Sequence, residues 1–304
     1  MNLPKVLIQI DCDTASTIAR FNSVQNLDST YDYFYYKALE RFLDIFSDKE
    51  QKATLFVSGK DLHIDNNIKI LEHCVKKGWE IANHTYSHPT GIINMPYDKI
   101  YEEISKTDKL ISQNLGYKPY GYRAPNYEMF FKTNILLSMM DYSYDCSLMP
   151  TPYKLILRWL IKNKTYLGEG KFDLKIIQPY YLDNQCEYKY NKKNKSIIEV
   201  PVSTFPRLYF PCTASYLLSL PIKIRNSMLK SILRYNEKKS ATLVFIFHLI
   251  DLVENAYLLP PYSRYYGSLD ERINFVKNFS SMVKHRFDTM TTIDYVKEIN
   301  NTGG

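Results

Sequence analysis

Several features that staple, anchor or specialise a protein are missing from this chain. Its five cysteines are odd in number and scattered, at Cys12, Cys74, Cys146, Cys186 and Cys212, which excludes a paired disulfide framework. No apolar run approaches the roughly eighteen residues that a membrane-spanning helix needs. The chain reaches its first strand-like run at Val6 with no basic leader, apolar stretch and small-residue cleavage site before it, so the expected location is the cytoplasm. Glycine is sparse, at 10 residues, and no glycine-rich loop is built to cradle phosphate, which argues against nucleotide chemistry. The formal charge of +7 is spread along the chain, and no helix-turn-helix, zinc-finger or RNA-binding signature accompanies it, so no nucleic acid partner is expected. No linker-like composition break divides the sequence, which predicts a single domain over residues 1–304.

What is present is an alternation of strand-like and helix-like segments. Apolar runs at 6–10, 53–58, 80–83, 119–124, 197–202 and 241–248 are separated by helical stretches, and this β-α alternation implies an α/β protein with a parallel sheet. The stretch Tyr97 to Leu115 carries Ile100, Ile104, Leu110, Ile111 and Leu115 among charged residues, an amphipathic helical pattern. Pattern alone leaves open whether the sheet is open or closed into a barrel. Residues 14–30 and 149–196 lack clear periodicity and are expected to form the substrate cap, the second as an insertion.

Chemistry gathers at the ends of the strand-like runs. Val6 to Ile10 leads into Asp11 and Asp13, two apart and therefore on the same side of a strand, with Cys12 pointing away. His84 and His88 stand four apart and would share one face if that segment were helical, with Pro89 ending the turn. A carboxylate and two imidazoles suit a catalytic zinc, which takes three such ligands and keeps a position for water. Arg123, in the run Gly121 to Tyr127, is a fixed cation before a proline-stiffened turn and can aim a carboxylate. His248 ends the apolar run 241–248 and is a candidate general acid. Each piece alone has a plainer reading: carboxylates capping a turn, histidines on a surface helix, a surface arginine, a hydrogen-bonded core imidazole.

Together and in order, these segments resemble the NodB-like polysaccharide deacetylases, carbohydrate esterase family 4. Asp11-Cys12-Asp13-Thr14 resembles the first motif, in the variant with one residue between the aspartates found in the branch that acts on lipid-linked sugars. His84 to His88 resembles the second motif, Arg123-Ala124-Pro125-Asn126 the third, Tyr144 to Pro150 the fourth and Phe247 to Asp251 the last. Glu199 to Thr204 resembles a late strand of the same proteins. The resemblance implies a distorted (β/α) barrel, a divalent metal, Zn2+ above all, on Asp13, His84 and His88, and Asp11 as general base. It implies that Arg123 holds Asp11, that His248 protonates the leaving amine with Asp145 steering it, and that Asn126 and Tyr127 line the substrate and oxyanion position. The fourth segment lacks the family's tryptophan, leaving Tyr142 or Tyr144 to wall the acyl methyl.

The implied activity is removal of an N-acetyl or related acyl group from an amino sugar, in a cell-envelope polysaccharide or a lipid-linked saccharide precursor. The alternatives are an amidohydrolase acting on a linear or cyclic non-sugar amide and, in another class, an inactive glycan-binding scaffold, although Asp11 and His248 are both retained. Two basic aliphatic stretches, Lys154 to Lys162 and Ile222 to Tyr235 with Lys223, Arg225, Lys230 and Arg234, could meet anionic lipid as a peripheral membrane contact. An ordinary helix with an apolar stripe inside and lysines outside explains them equally. Lys189 to Lys195 reads as a solvated loop.

Overall fold

The computed structural model describes residues 3–14, 17, 33–48, 50–128, 131–151, 190–192, 195–205, 209–254 and 267–302. The stretch Lys154 to Lys162, Cys186 and most of the expected cap at 14–30 and 149–196 lie outside the described residues.

β1 (Lys5–Cys12) is the longest strand, buried along its length except at Lys5, and this burial explains a sequence that is almost continuously apolar rather than alternating. It pairs in parallel with β10 (Leu243–His248), in a register running from Val6 opposite Leu243 to Asp11 opposite His248. The sheet continues through β2 (Thr54–Val57), β3 (Glu80–Asn83), β4 (Gly121–Tyr122), β5 (Tyr144–Asp145), β7 (Lys195–Glu199) and β6 (Tyr190–Lys192), in the order β10-β1-β2-β3-β4-β5-β7-β6. β11 (Asp288–Met290) pairs with the start of β1. β8 (Thr204–Phe205) and β9 (Phe210–Pro211) form a separate antiparallel pair. Helices connect the parallel strands: α1 (Tyr33–Ser47), α2 (Asp65–Lys76), α3 (Tyr97–Leu115), α4 (Phe131–Met139), α5 (Ala214–Leu218), α6 (Ile222–Lys239), α7 (Leu269–Lys284) and the terminal α8 (Thr292–Thr302).

Contacts divide the chain into two compact units, one of Met1–Leu55, Lys69–Glu80 and Cys212–Thr291, the other of Phe56–Ile68, Ile81–Pro211 and Thr292–Gly304. The first is built on aromatic packing. Phe42 and Phe46, one helical turn apart on α1, meet Phe247 at 5.5 and 5.7 Å between ring centroids, and Phe279 of α7 lies 4.6 Å from Phe245 and 5.3 Å from Phe247. All five rings are buried, each contributing roughly 2–3 kcal/mol from area removed from water. Because side chains alternate along β10, Phe245 and Phe247 on this face commit His248 to the opposite one.

The second unit packs α3 through Ile100 and Ile104 against Tyr122, Leu136, Leu137, Tyr142 and Ile197. The helix predicted from Tyr97 to Leu115 has those bounds, and it stops where Gly116 takes a left-handed φ of 77°. Gly121 is required by contact rather than by φ, since a Cβ there would stand 1.9 Å from the Tyr144 ring.

Three expectations change. The strands expected at 119–124 and 197–202 are shorter or shifted, at Gly121–Tyr122 and Lys195–Glu199. Part of the expected loop at Lys189 to Lys195 is strand, with Lys192 opposite Lys195 in an antiparallel pair. Arg225, counted among surface bases, is buried at 2% exposure with its guanidinium 5.8 Å from the Phe275 ring, while Ile222 and Ile224 are exposed. The remainder of α6 follows the plainer reading, with Leu229, Ile232 and Leu233 inside and Lys223 and Lys230 outside. Among the described residues, no helix is long and apolar enough to cross a membrane.

Candidate functional site

Parallel pairing gathers the carboxyl ends of the strands on one edge of the sheet, where α/β proteins place their chemistry. Asp11 and His248 are register partners there, with His248 Nε2 3.6 Å from Asp11 Oδ2. Asp11 is buried and His248 nearly so. Asp13 follows the end of β1. Cys12 points away as expected; its thiol is fully buried, and burial pushes it well above its ordinary pKa. Cys12, Cys74, Cys146 and Cys212 are free thiols.

His84 and His88 converge, but not by the helix expected from their spacing. The segment after β3 is irregular, and Thr85 and His88 have positive φ of 66° and 51°. Positive φ is costly for a β-branched residue such as Thr85 and persists only where surroundings over-determine it. Those surroundings are visible. Glu103 of α3 accepts from the Tyr86 and Ser87 N–H groups at 2.9 and 2.8 Å and from Ser87 Oγ at 2.8 Å. The Thr85 N–H is held by Asn83 Oδ1 at 2.8 Å, and the Thr85 and Tyr86 carbonyls accept from Gly59 and Lys60.

The result sets the two imidazoles with centroids 5.0 Å apart. His84 Nδ1 lies 2.7 Å from the Arg123 carbonyl oxygen. A carbonyl can only accept, so Nδ1 carries the hydrogen and Nε2 is the nitrogen that could bind a metal, the usual way an outer partner orients a metal-binding histidine. Asp13, His84 and His88 each offer a ligand atom within 4.8 Å of the others. One carboxylate and two imidazoles fit the chemistry of a catalytic divalent site.

Arg123 is fully buried. Its Nε donates to the Cys146 carbonyl at 3.1 Å, and its guanidinium stacks 3.9 Å from the Phe56 ring centroid. Asp145 and Glu199, register partners on β5 and β7, lie within its field. Burial raises Asp145 to about 6, against the lowering effects of hydrogen bonds from Ser147 and Glu199 and of the Arg123 charge. Burial, then repulsion from Asp145, drives Glu199 well above the ordinary carboxyl range. Glu199 also accepts the Leu148 N–H at 2.9 Å.

Both acids are raised, so the folded state binds more protons than the unfolded one, and stability falls as pH rises from the ordinary carboxyl range of about 4. Glu199→Gln keeps an acceptor for Leu148 and a donor for Asp145 but has nothing to titrate. Its thermal midpoint, followed by circular dichroism between about pH 5 and about pH 8, is expected to fall less steeply than that of the wild type. An equal slope would remove Glu199 as a source of that dependence.

Asn126 and Tyr127 sit in the short 3-10 turn Pro125–Tyr127, both with φ of 56°, and the Tyr127 N–H is bonded to the Ala124 carbonyl at 3.1 Å. Ser147 ties this turn to Asp145: its Oγ accepts from the Ala124 N–H at 2.8 Å and donates to Asp145 Oδ1. Tyr142 is a core residue whose hydroxyl accepts from Asn83 Nδ2, and Tyr144 is buried against Gly121. Glu103 and Ser147 were not legible as site residues, since a helix glutamate and a loop serine carry no local signal of the backbone groups they hold.

Comparison with known proteins gives the same class. Residues 24–145 match the family model described as polysaccharide deacetylase. A Bacillus subtilis protein described as uncharacterized protein YlxY is 34% identical over 88 residues, 29% of this chain and 27% of the relative. The peptidoglycan deacetylase of Helicobacter pylori is 33% identical over 118 residues, 38% of this chain and 39% of the relative. The matched segments thus span less than half the length of these relatives. In structure, a Mycobacterium smegmatis protein assigned to the polysaccharide deacetylases superposes with a TM-score of 0.65 at 16% identity, covering 98% of this chain and 91% of that one. The chain is polysaccharide deacetylase-like in sequence and in fold, and the fold class is the α/β (β/α)-barrel type expected from the motifs.

Proposed function

We propose that the chain is a metal-dependent carbohydrate N-deacetylase that removes the acetyl group from an amino sugar of a cell-envelope glycan or lipid-linked saccharide. The observation that carries this reading is the donor set of Asp13, His84 and His88, accompanied at the strand ends by Asp11 opposite His248. These three residues would hold the ion, zinc first by the chemistry of the set. A divalent ion there would polarise the amide carbonyl and ease deprotonation of the attacking water.

The remaining steps belong to the chain's own groups. Asp11 accepts the proton of the water as it attacks the amide carbon. Nε2 of His248 faces Asp11 and delivers a proton to the sugar nitrogen as the carbon–nitrogen bond breaks. Arg123 supports the acid–base residues through its buried positive charge and keeps Asp11 aimed, and Asp145 supports His248 from the same region of charge. The turn at Asn126 and Tyr127 supplies backbone to the developing oxyanion, where preorganised donors contribute most.

Purified protein is expected to contain about one equivalent of divalent metal and to release acetate from N-acetylated oligosaccharides or peptidoglycan, with chelation abolishing release and zinc restoring it. Metal binding without acetate release from any such glycan would redirect the reading to another amide.

The exposed Ile222 and Ile224 flank Lys223 at the start of α6, which supports a contact with anionic lipid on the cytoplasmic side. Sedimentation with anionic vesicles at low salt, lost at high salt, is the expected result. Failure to sediment at low salt would leave α6 as an ordinary packed helix.

A further inference from the structure

His248 is held from behind by a serine and a carboxylate. Its Nδ1 lies 3.0 Å from Ser215 Oγ, and the same oxygen lies 3.0 Å from Asp251 Oδ1. Asp251 Oδ2 accepts the His248 backbone N–H at 2.8 Å. The serine hydroxyl has one hydrogen, and an ionised carboxylate has none to give. With its single hydrogen on Asp251, Ser215 accepts from Nδ1–H, while the Asp251 N–H approaches the same His248 side chain as a competing donor. Where the serine contact prevails, the ring carries hydrogen on Nδ1, and Nε2, 3.6 Å from Asp11, is the nitrogen that exchanges a proton.

Local structure explains why these residues meet. Ile246 N donates to the Cys212 carbonyl at 3.1 Å, and Thr213 bridges Ile246, so the chain after β9 runs alongside β10. Thr213 then caps α5, its side chain accepting from the Tyr216 N–H, which sets Ser215 in the first turn beside the end of β10. Asp251 lies in the 3-10 turn Leu249–Leu252 that directly follows β10, and it is fully buried. Arg272 of α7 fixes this turn, donating to the carbonyls of Ile250, Asp251 and Val253 at 3.2, 3.0 and 2.7 Å. Neither the spacing of Ser215 from His248 nor its surroundings mark it in the sequence.

We propose that Ser215 and Asp251 are positioning residues for His248, a hydroxyl-bridged carboxylate that fixes the ring plane and keeps hydrogen on Nδ1 so that Nε2 handles the proton. This rests on the deacetylase reading for its consequence, though not for its geometry. In the reaction, the amide carbon–nitrogen bond breaks with its electron pair on nitrogen, which takes the proton from His248 Nε2. The proton that Asp11 removed from water returns to Nε2 across the gap between them, and Nδ1–H is retained throughout.

The test uses 15N-histidine-labelled protein. The chain has six histidines, so the His248 ring signals are assigned with a His248→Gln variant. In the wild type, the neutral ring of His248 is expected to show a protonated Nδ1 and an unprotonated Nε2. Ser215→Ala, which removes a single atom from a partly exposed position, is expected to mix or invert the tautomers, and Ser215→Thr, which keeps the hydroxyl, to retain the wild-type pattern. In acetate release, Ser215→Ala should lower kcat by about 10- to 100-fold and Asp251→Asn by about 10²- to 10⁴-fold, with KM little changed. A wild-type ring protonated on Nε2, or a tautomer indifferent to Ser215→Ala, would overturn the assignment. So would an altered tautomer with an unaltered kcat. The ring signals are read without substrate, so they decide the geometry even if no acetylated glycan proves to be a substrate, an outcome that would count against the deacetylase reading alone.

Discussion

Asp11→Asn is expected to keep its divalent ion and lose its turnover. Asparagine has the shape of aspartate but cannot take a proton at neutral pH, and a positioned general base contributes typically about 10²- to 10⁴-fold. Asp11 is well placed to be that base, buried at the end of β1 and opposite His248 in the sheet register. Because the candidate ligand set is Asp13, His84 and His88, the substitution leaves all three donors in place. Metal content per chain should be unchanged while kcat/KM for acetate release falls by about three orders of magnitude. A fully active Asp11→Asn protein would remove the base assignment, and loss of the metal would make Asp11 a ligand instead.

The opposite signature is expected of Asp13→Ala. Two imidazoles remain, and a site reduced from three protein ligands to two, with its only carboxylate gone, should lose the ion on dialysis. Loss of partners that merely orient a ligand costs about 10- to 100-fold in affinity, so loss of a ligand itself should cost more. Activity should fall at least as far as in Asp11→Asn, since the donor set that the reaction needs is incomplete.

A second readout requires no substrate. An ion that binds only the folded chain stabilises it by about 2.7 kcal/mol at a hundredfold excess over its Kd, so zinc should raise the melting temperature of the wild type and of Asp11→Asn but not that of Asp13→Ala. Equal zinc-induced shifts in all three proteins would place the ion somewhere other than this cluster.

These two substitutions separate residues that are two apart in the chain and chemically identical, and the different roles expected of them come from the resemblance to the deacetylase family. Much of the fold was legible for similarly local reasons. β1 and β10 are apolar runs buried on both faces, and α3 carries an apolar stripe ended by a glycine that turns left-handed. The pairing of His84 with His88 was legible as a pair, but its cause was misread: four-residue spacing implies a helix, whereas the segment is a loop with two residues at positive φ. Local propensity could not reveal that, because the loop is held by Glu103 from a helix beginning many residues later. Arg225 was misread for a related reason. A basic residue on an amphipathic helix is ordinarily solvated, and only the packing of α6 shows that this one is buried near Phe275.

By itself, the sequence determined the class of fold, the ends of the strands that carry chemistry, and the identity of the candidate ligands and acid–base pair, because strand burial, helix periodicity and motif order are properties of neighbouring residues. Tertiary structure alone decided that His84 Nδ1 meets the Arg123 carbonyl, that Glu199 accepts the Leu148 N–H, and that His248 leans on Ser215 and Asp251. Each of these depends on a hydrogen bond between groups whose separation in space is set by strand pairing and loop closure. No local pattern encodes which donor will meet which acceptor until the backbone has brought them within about 3 Å.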